Sequence, residues 1–257
     1  MMRFLLLLSM VCCTIQTWSQ TDTMPRIPDS AALQLHLPER PVLKATQLLI
    51  PATLIGYGIW SLDNGQLESF NAQVKEELYT EKPHRQLHID NYLQWTPALA
   101  VYALNAAGIK GAHNLKDRSI IYGLSLAIMN TTVFASKHLT KQWRPDLSND
   151  LSFPSGHTAN AFAAAEFLRK EYKDVSIWYG VGGYAVAAFT GYLRMYNNRH
   201  WLSDVVAGAG VGILSTDLAY FLYPRLQSMF KGNKMKNTAV APFYSNGAVG
   251  LNLVKRF

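Results

Sequence analysis

Three short polar clusters, set among long apolar segments between Lys137 and Asp204, hold the residues whose types and spacing could do chemistry. The first runs Lys137-His-Leu-Thr-Lys-Gln-Trp-Arg144-Pro145, the second is Pro154-Ser155-Gly156-His157, and the third is Arg194 followed by His200 and Asp204. Together they offer three fixed cations, a hydroxyl, a glycine turn, two imidazoles and a carboxylate. That set suits a phosphate held in place while one histidine attacks it and another protonates the leaving group. His200 and Asp204 stand four apart. On a helix they would share a face, with the carboxylate orienting one ring nitrogen and the other pointing outward as a nucleophile. Ser155 and Gly156 follow a proline and precede an alanine-rich run that starts at Thr158. This pattern predicts a helix N-terminus, where unpaired N–H groups bind anions. Arg144 and Arg194 can each fork two hydrogen bonds onto phosphate oxygens, and Lys137 adds a point charge. Lys141, one turn on, could share the role of Lys137, whereas His138 is expected to be structural or at the rim.

Taken singly, these fragments are bland. Pro-Ser-Gly-His is a turn into a helix, His-x-x-x-Asp is a common helix-surface pair, and Arg-Pro is a helix stop. In this order and at these spacings they resemble the type 2 phosphatidic acid phosphatase superfamily, which also includes bacterial acid phosphatases and vanadium haloperoxidases. Its signature is Lys, six residues, Arg-Pro; Pro-Ser-Gly-His; then Ser-Arg, five residues, His, three residues, Asp. The chain departs from it at Leu193, where the family has serine. The resemblance implies that Lys137, Arg144, Ser155, Gly156 and Arg194 cradle the phosphate. It also implies that His200 is the nucleophile, Asp204 its orienter and His157 the general acid, with no metal or other cofactor required. The other activities open to such a cradle are a vanadate-dependent haloperoxidase and a catalytically silent membrane protein.

The elements that must position these residues read as helices. Apolar segments span about 42–62, 95–109, 120–135, 175–193 and 201–223, with a shorter alanine-rich helix over 158–172. The expectation is an all-α bundle of about six helices, membrane-associated, with a polar, charged stretch over 64–91 that is loop with some helix. Some of these segments are long enough to cross a bilayer, 175–193 and 201–223 especially, and tryptophan and tyrosine at their ends suit an interface. From Thr238 the tail alternates apolar residues around Ser245-Asn246-Gly247 and ends on Phe257, which predicts a β-hairpin. The expected organisation is a signal peptide over 1–20, an extended leader over 21–41, the phosphatase domain over 42–229 and the tail over 230–257.

The start, Met1-Met-Arg-Phe followed by leucines, has the basic then apolar order of a secretory signal peptide. Both cysteines, Cys12 and Cys13, fall inside it, so no disulfide or cysteine metal site is expected in the mature chain. With that signal cleaved, three full spans before Arg144 would put the cradle in the cytoplasm. Either an early segment does not cross, or the bundle is peripheral on the outer side, with the cradle facing the periplasm of a bacterial envelope. The net charge of +7 falls to about +6 when Arg3 leaves with the signal, and suits an anionic substrate or lipid surface. The basic residues are scattered and match no nucleic-acid motif, so nucleic acid is not an expected partner. Among family substrates, an anionic lipid phosphate fits the long apolar helices. Lipid A is the first choice, with a slight lean to its 4′- over its 1-phosphate, and undecaprenyl pyrophosphate or phosphatidylglycerophosphate stands as the alternative.

Overall fold

The computed structural model describes residues 43–81, 84–232, 238–245 and 248–255; the expected signal peptide and leader lie outside the described residues. Eight α-helices occur among those residues, two more than expected. They are α1 (Ala45–Trp60), α2 (Gly65–Lys75), α3 (Asp90–Leu93), α4 (Thr96–Ala106), α5 (Leu115–Thr140), α6 (Gly156–Tyr172), α7 (Ile177–Tyr196) and α8 (Leu202–Gly232). The two further helices are α2, which lies in the stretch expected to be loop with some helix, and α3, which starts at its end; a π-helical turn, Glu76–Thr80, prolongs α2. Hydrophobic periodicity could not reveal α2, because Asn71 is its buried residue. That amide donates 3.0 Å bonds to the hydroxyls of Ser61 and Ser203 and accepts from the Ser203 N–H, so α2 docks through polar contacts.

Local signals set the helix ends. Asn64, Asn114, Ser155 and Ser176 cap α2, α5, α6 and α7 with side-chain oxygens that accept first-turn N–H groups. Helix α5 ends at Lys141, whose left-handed backbone (φ 48°) turns the chain into the loop that carries Arg144.

Helix α6 sits at the centre, packed on α7 and α8 and also touching α4 and α5. Its small side chains make this possible: Ala159, Ala161, Ala163, Ala164 and Ala165 are fully buried. Helix α8 comes close through Gly208, where a Cβ would stand 2.6 Å from the Ser155 carbonyl oxygen, and through Gly212 one turn on, which faces Ala159. Small residues four apart let two helix backbones meet in this way. Away from that seam the core is aromatic. Phe167 is fully buried and stacks on Tyr122 at 4.7 Å, so truncating it to alanine would cost about 3–5 kcal/mol.

Among the described residues two helical stretches, Leu115–Thr140 and Leu202–Ser228, are long and apolar enough to cross a membrane, and the bent pair Ala45–Trp60 and Gly65–Thr80 makes a third if it counts as one span. Helix α7 is not among them, contrary to expectation, since its four glycines and four tyrosines dilute its hydropathy. Large apolar side chains such as Leu49, Trp60, Leu99, Phe134, Trp178 and Phe189 are exposed on the outside of the helices, which supports membrane association. In the tail, strands β1 (Thr238–Ser245) and β2 (Ala248–Lys255) pair antiparallel from Thr238↔Lys255 to Ser245↔Ala248. Helix α8 runs three residues into the region expected to be tail.

Candidate active site

Four helix ends and one loop meet here: the C-termini of α5 and α7, the N-termini of α6 and α8, and residues 141–155. The last turn of α5 carries Lys137, whose ammonium donates to the carbonyls of Leu151 and Ser152, the latter at 3.2 Å. Lys141 is exposed at the left-handed cap, which leaves Lys137 as the inward lysine. His138 is exposed, bonded to its own helix at the Phe134 carbonyl and packed on the Phe134 ring.

The loop carrying Arg144 is pinned from outside. Arg199 pairs with Asp146 at 2.9 Å, Lys75 donates to the Pro145 carbonyl at 2.8 Å, and the Trp201 indole N–H donates to the Trp143 carbonyl at 2.8 Å. Arg144 itself is half-buried, and its Nε has no partner among the described residues. Arg194, in the last turn of α7, is 8 % exposed and donates through one terminal nitrogen to Asp90 Oδ2, while its Nε is unpartnered. The Arg194 guanidinium is therefore held by Asp90 and the Arg144 loop by its outer contacts, and both guanidinium groups have N–H capacity to spare.

The N-terminus of α6 is built by Ser155. Its hydroxyl accepts from Thr158 N–H and meets the Thr158 hydroxyl at 2.8 Å, so this side chain is turned into the cap. The Ser155 N–H donates to the Asp204 carbonyl at 3.0 Å and ties the start of α6 to α8. The N–H groups of Gly156 and His157 are first-turn donors with no partner within their own helix. A Cβ on Gly156 would meet only Val133, at an ordinary 3.7 Å, so packing does not demand glycine here. Close approach of a ligand to the backbone would.

His200 precedes α8 rather than lying on it, contrary to the shared-face expectation. The helix starts at Leu202, and Asp204 is its third residue. The Asp204 carboxylate accepts the Trp201 N–H at 2.9 Å, as an acidic residue in the first turn does when it closes a helix N-terminus. It lies 3.5 Å from His200 Nδ1, and Ser152 stands between them. The Ser152 hydroxyl donates to Asp204 Oδ2, and its oxygen is 3.4 Å from His200 Nδ1. With Nδ1 so engaged, Nε2 is the ring nitrogen left over. Burial, and then the charges of Arg194, Lys137 and Arg144, push His200 well below the usual histidine pKa. It is therefore neutral with a free lone pair at physiological pH.

His157 is half-buried, and its Nε2 lies 2.8 Å from Asn91 Oδ1. Burial, followed by Arg194, Arg144 and Lys137, pulls its pKa down to about 4, against an opposing pull from Asp90. Both imidazoles thus sit in the positive field of Arg194, Arg144 and Lys137.

The sequence reading missed Ser152, Asp90 and Asn91. All three reach the site through tertiary contact, and none belongs to a short motif. Leu193, the departure from the family pattern, is 1 % exposed and packs in the interior.

A model of the PAP2 superfamily matches residues 118–228. A lipid A 1-phosphatase of Porphyromonas gingivalis is 34 % identical over 203 residues, which are 79 % of this chain and 43 % of that protein. The chain thus spans less than half the length of this curated relative. Two solved structures are also similar. Aquifex aeolicus LpxE is 19 % identical, with 69 % of this chain and 96 % of that one covered and a TM-score of 0.40. The first transmembrane PAP2 type phosphatidylglycerolphosphate phosphatase from Bacillus subtilis is 18 % identical, with 72 % and 98 % covered and a TM-score of 0.45.

Proposed function

We propose that this chain, whose residues 118–228 match the PAP2 superfamily, is a phosphatase of a lipid-linked phosphate, acting through a phosphohistidine. One observation carries the reading. His200 is held at Nδ1 by Ser152 and Asp204 in the field of Lys137, Arg144 and Arg194.

In the first step the phosphate oxygens lie against Arg144, Arg194, Lys137 and the N–H groups at the start of α6, while His200 Nε2 attacks phosphorus. The bond from phosphorus to the leaving oxygen breaks, and His157 gives that oxygen its proton. Asp204, through Ser152, stabilises the positive charge that builds on His200. In the second step a water attacks the phosphohistidine, passes a proton to His157, and inorganic phosphate leaves with His200 free again. The cradle contributes mainly by preorganised charge, because phosphoryl transfer leaves little other chemistry for a protein to do.

For substrate we propose lipid A, and the lean moves from the 4′- to the 1-phosphate. This is supported by the name of the Porphyromonas gingivalis relative and by the apolar helix surfaces that would face acyl chains. We further propose that the cradle faces the periplasm of a bacterial envelope, supported by the basic then apolar order of residues 3–15. Deleting the gene and weighing lipid A by mass spectrometry tests the substrate, together with turnover of purified lipid A by the protein. One added phosphate in the deletion strain is the expected result. Unchanged lipid A with accumulated prenyl pyrophosphate would move the assignment to that substrate.

A further inference from the structure

We propose that Asn91 is a positioning residue for the acid step: its side-chain oxygen holds the Nε2–H of His157, so that the proton delivered to the leaving group comes from Nδ1. The inference deepens the phosphatase reading and rests on it. Its geometric basis is the 2.8 Å contact between Asn91 Oδ1 and His157 Nε2. An amide oxygen only accepts, so Nε2 carries the hydrogen and Nδ1 is left as the exchangeable position.

The contact is engineered by the fold rather than by local sequence. Leu87 and Asn197 exchange two hydrogen bonds of 2.8 and 2.7 Å, which lay the segment before α3 along the end of α7. Gln86 reaches Arg199, and His84 stacks on Tyr196 at 3.5 Å. The next residues are then delivered as a pair, with Asp90 binding Arg194 and Asn91 reaching His157. One short helix thus grips both a cradle cation and the proposed acid.

The choice of an amide has a chemical consequence. Arg194 on α7, Arg144 in its loop and Lys137 on α5 bring positive charge to His157, Asp90 on α3 brings negative charge, and His200 lies across the site. A bound phosphate would offset the cations and let Nδ1 take up a proton. Asn91 then orients the imidazolium without adding a charge that would retain the proton. A carboxylate at the same place would hold it and slow its release.

The test uses the full chain in detergent with two substrates, an alkyl phosphate whose leaving oxygen needs a proton and a nitrophenyl phosphate whose leaving oxygen does not. Asn91 is exposed, so its variants keep the fold. N91A should lose roughly tenfold or more in kcat on the alkyl ester and under about twofold on the aryl ester, since general acid catalysis contributes roughly 10²–10⁴. N91D should move the alkaline limb of the kcat profile to higher pH. In a His157→Ala background, N91A should add no further loss. Equal losses on both esters, or an added loss without His157, would overturn the positioning role while leaving the phosphatase reading intact. No turnover of either ester or of lipid A by the wild-type chain would overturn both.

Discussion

The hydroxyl of Ser152 donates to the carboxylate of Asp204 while its oxygen lies 3.4 Å from Nδ1 of His200, so a serine links the two residues that the sequence pairs directly. Ser152 and Asp204 are fully buried; the contacts of Asp204 to Ser152 and Trp201 are at Oδ2, and its Oδ1 has no hydrogen-bond partner among the described residues.

Ser152→Ala should therefore weaken the orientation of His200 and leave a buried carboxylate one donor short. A loss of about 1–3 kcal/mol in stability is expected. The kcat should fall by roughly tenfold with KM little changed, because the relay acts as charge develops on His200. Steady-state kinetics with a thermal melt on the same preparation checks both. A large rise in KM at constant kcat would place Ser152 in ground-state binding instead.

His200→Ala should abolish turnover and leave phosphate or vanadate binding measurable, since the cations that hold the anion are untouched. Rapid quenching of the wild-type chain with labelled substrate should trap acid-labile phosphate on His200. Turnover with no trapped phosphate under any quench time would contradict the covalent route.

The pKa of His157 gives a linkage prediction with a definite sign. In the free site it is lowered to about 4 by burial and by Arg194, Arg144 and Lys137, so between pH 5 and 6.5 the ring is neutral when folded and partly protonated when unfolded. The unfolded chain binds more protons there. The stability owed to this group is complete above the unfolded value, near 6.5, and is lost as pH falls toward 4. Phosphate binding offsets the cations and raises the pKa, so binding at pH 5.5 should take up protons. Calorimetry in two buffers of different ionisation enthalpy measures the uptake, and His157→Ala should reduce it. Identical heats in both buffers would show that His157 does not respond to the anion.

Asp90 and Arg194 form a buried pair, 1 % and 8 % exposed. Removing the carboxylate in Asp90→Ala strands the guanidinium, a change worth about 3–5 kcal/mol when nothing replaces the partner. The variant should melt well below wild type. Saturating phosphate or vanadate should restore more of its melting temperature than it adds to wild type, because the anion takes the place of the lost carboxylate. Equal ligand shifts in both proteins would mean that Arg194 does not reach the bound anion.

The sequence by itself determined the chemical inventory and where the long helices run. Lys137, Arg144, Ser155, His157, Arg194, His200 and Asp204 occupy helix ends or the short links between helices, so spacing along the chain sets much of their relation, and capping residues such as Ser155 and Ser176 are visible locally. Apolar runs marked α1 and α4 to α8, since burial leaves its periodicity in composition. What only the tertiary structure decided is which neighbours those residues meet. Asn91 is 66 positions from His157, Asp90 is 104 from Arg194, and Ser152 reaches His200 across 48. The positions of α2 and α3 were hidden for the same reason: α2 docks through the hydrogen bonds of Asn71, and α3 is a single turn joined to α7 through Asp90. A polar contact between distant segments leaves no period in a sequence, because it needs one residue on each side and depends on two helices that pack first.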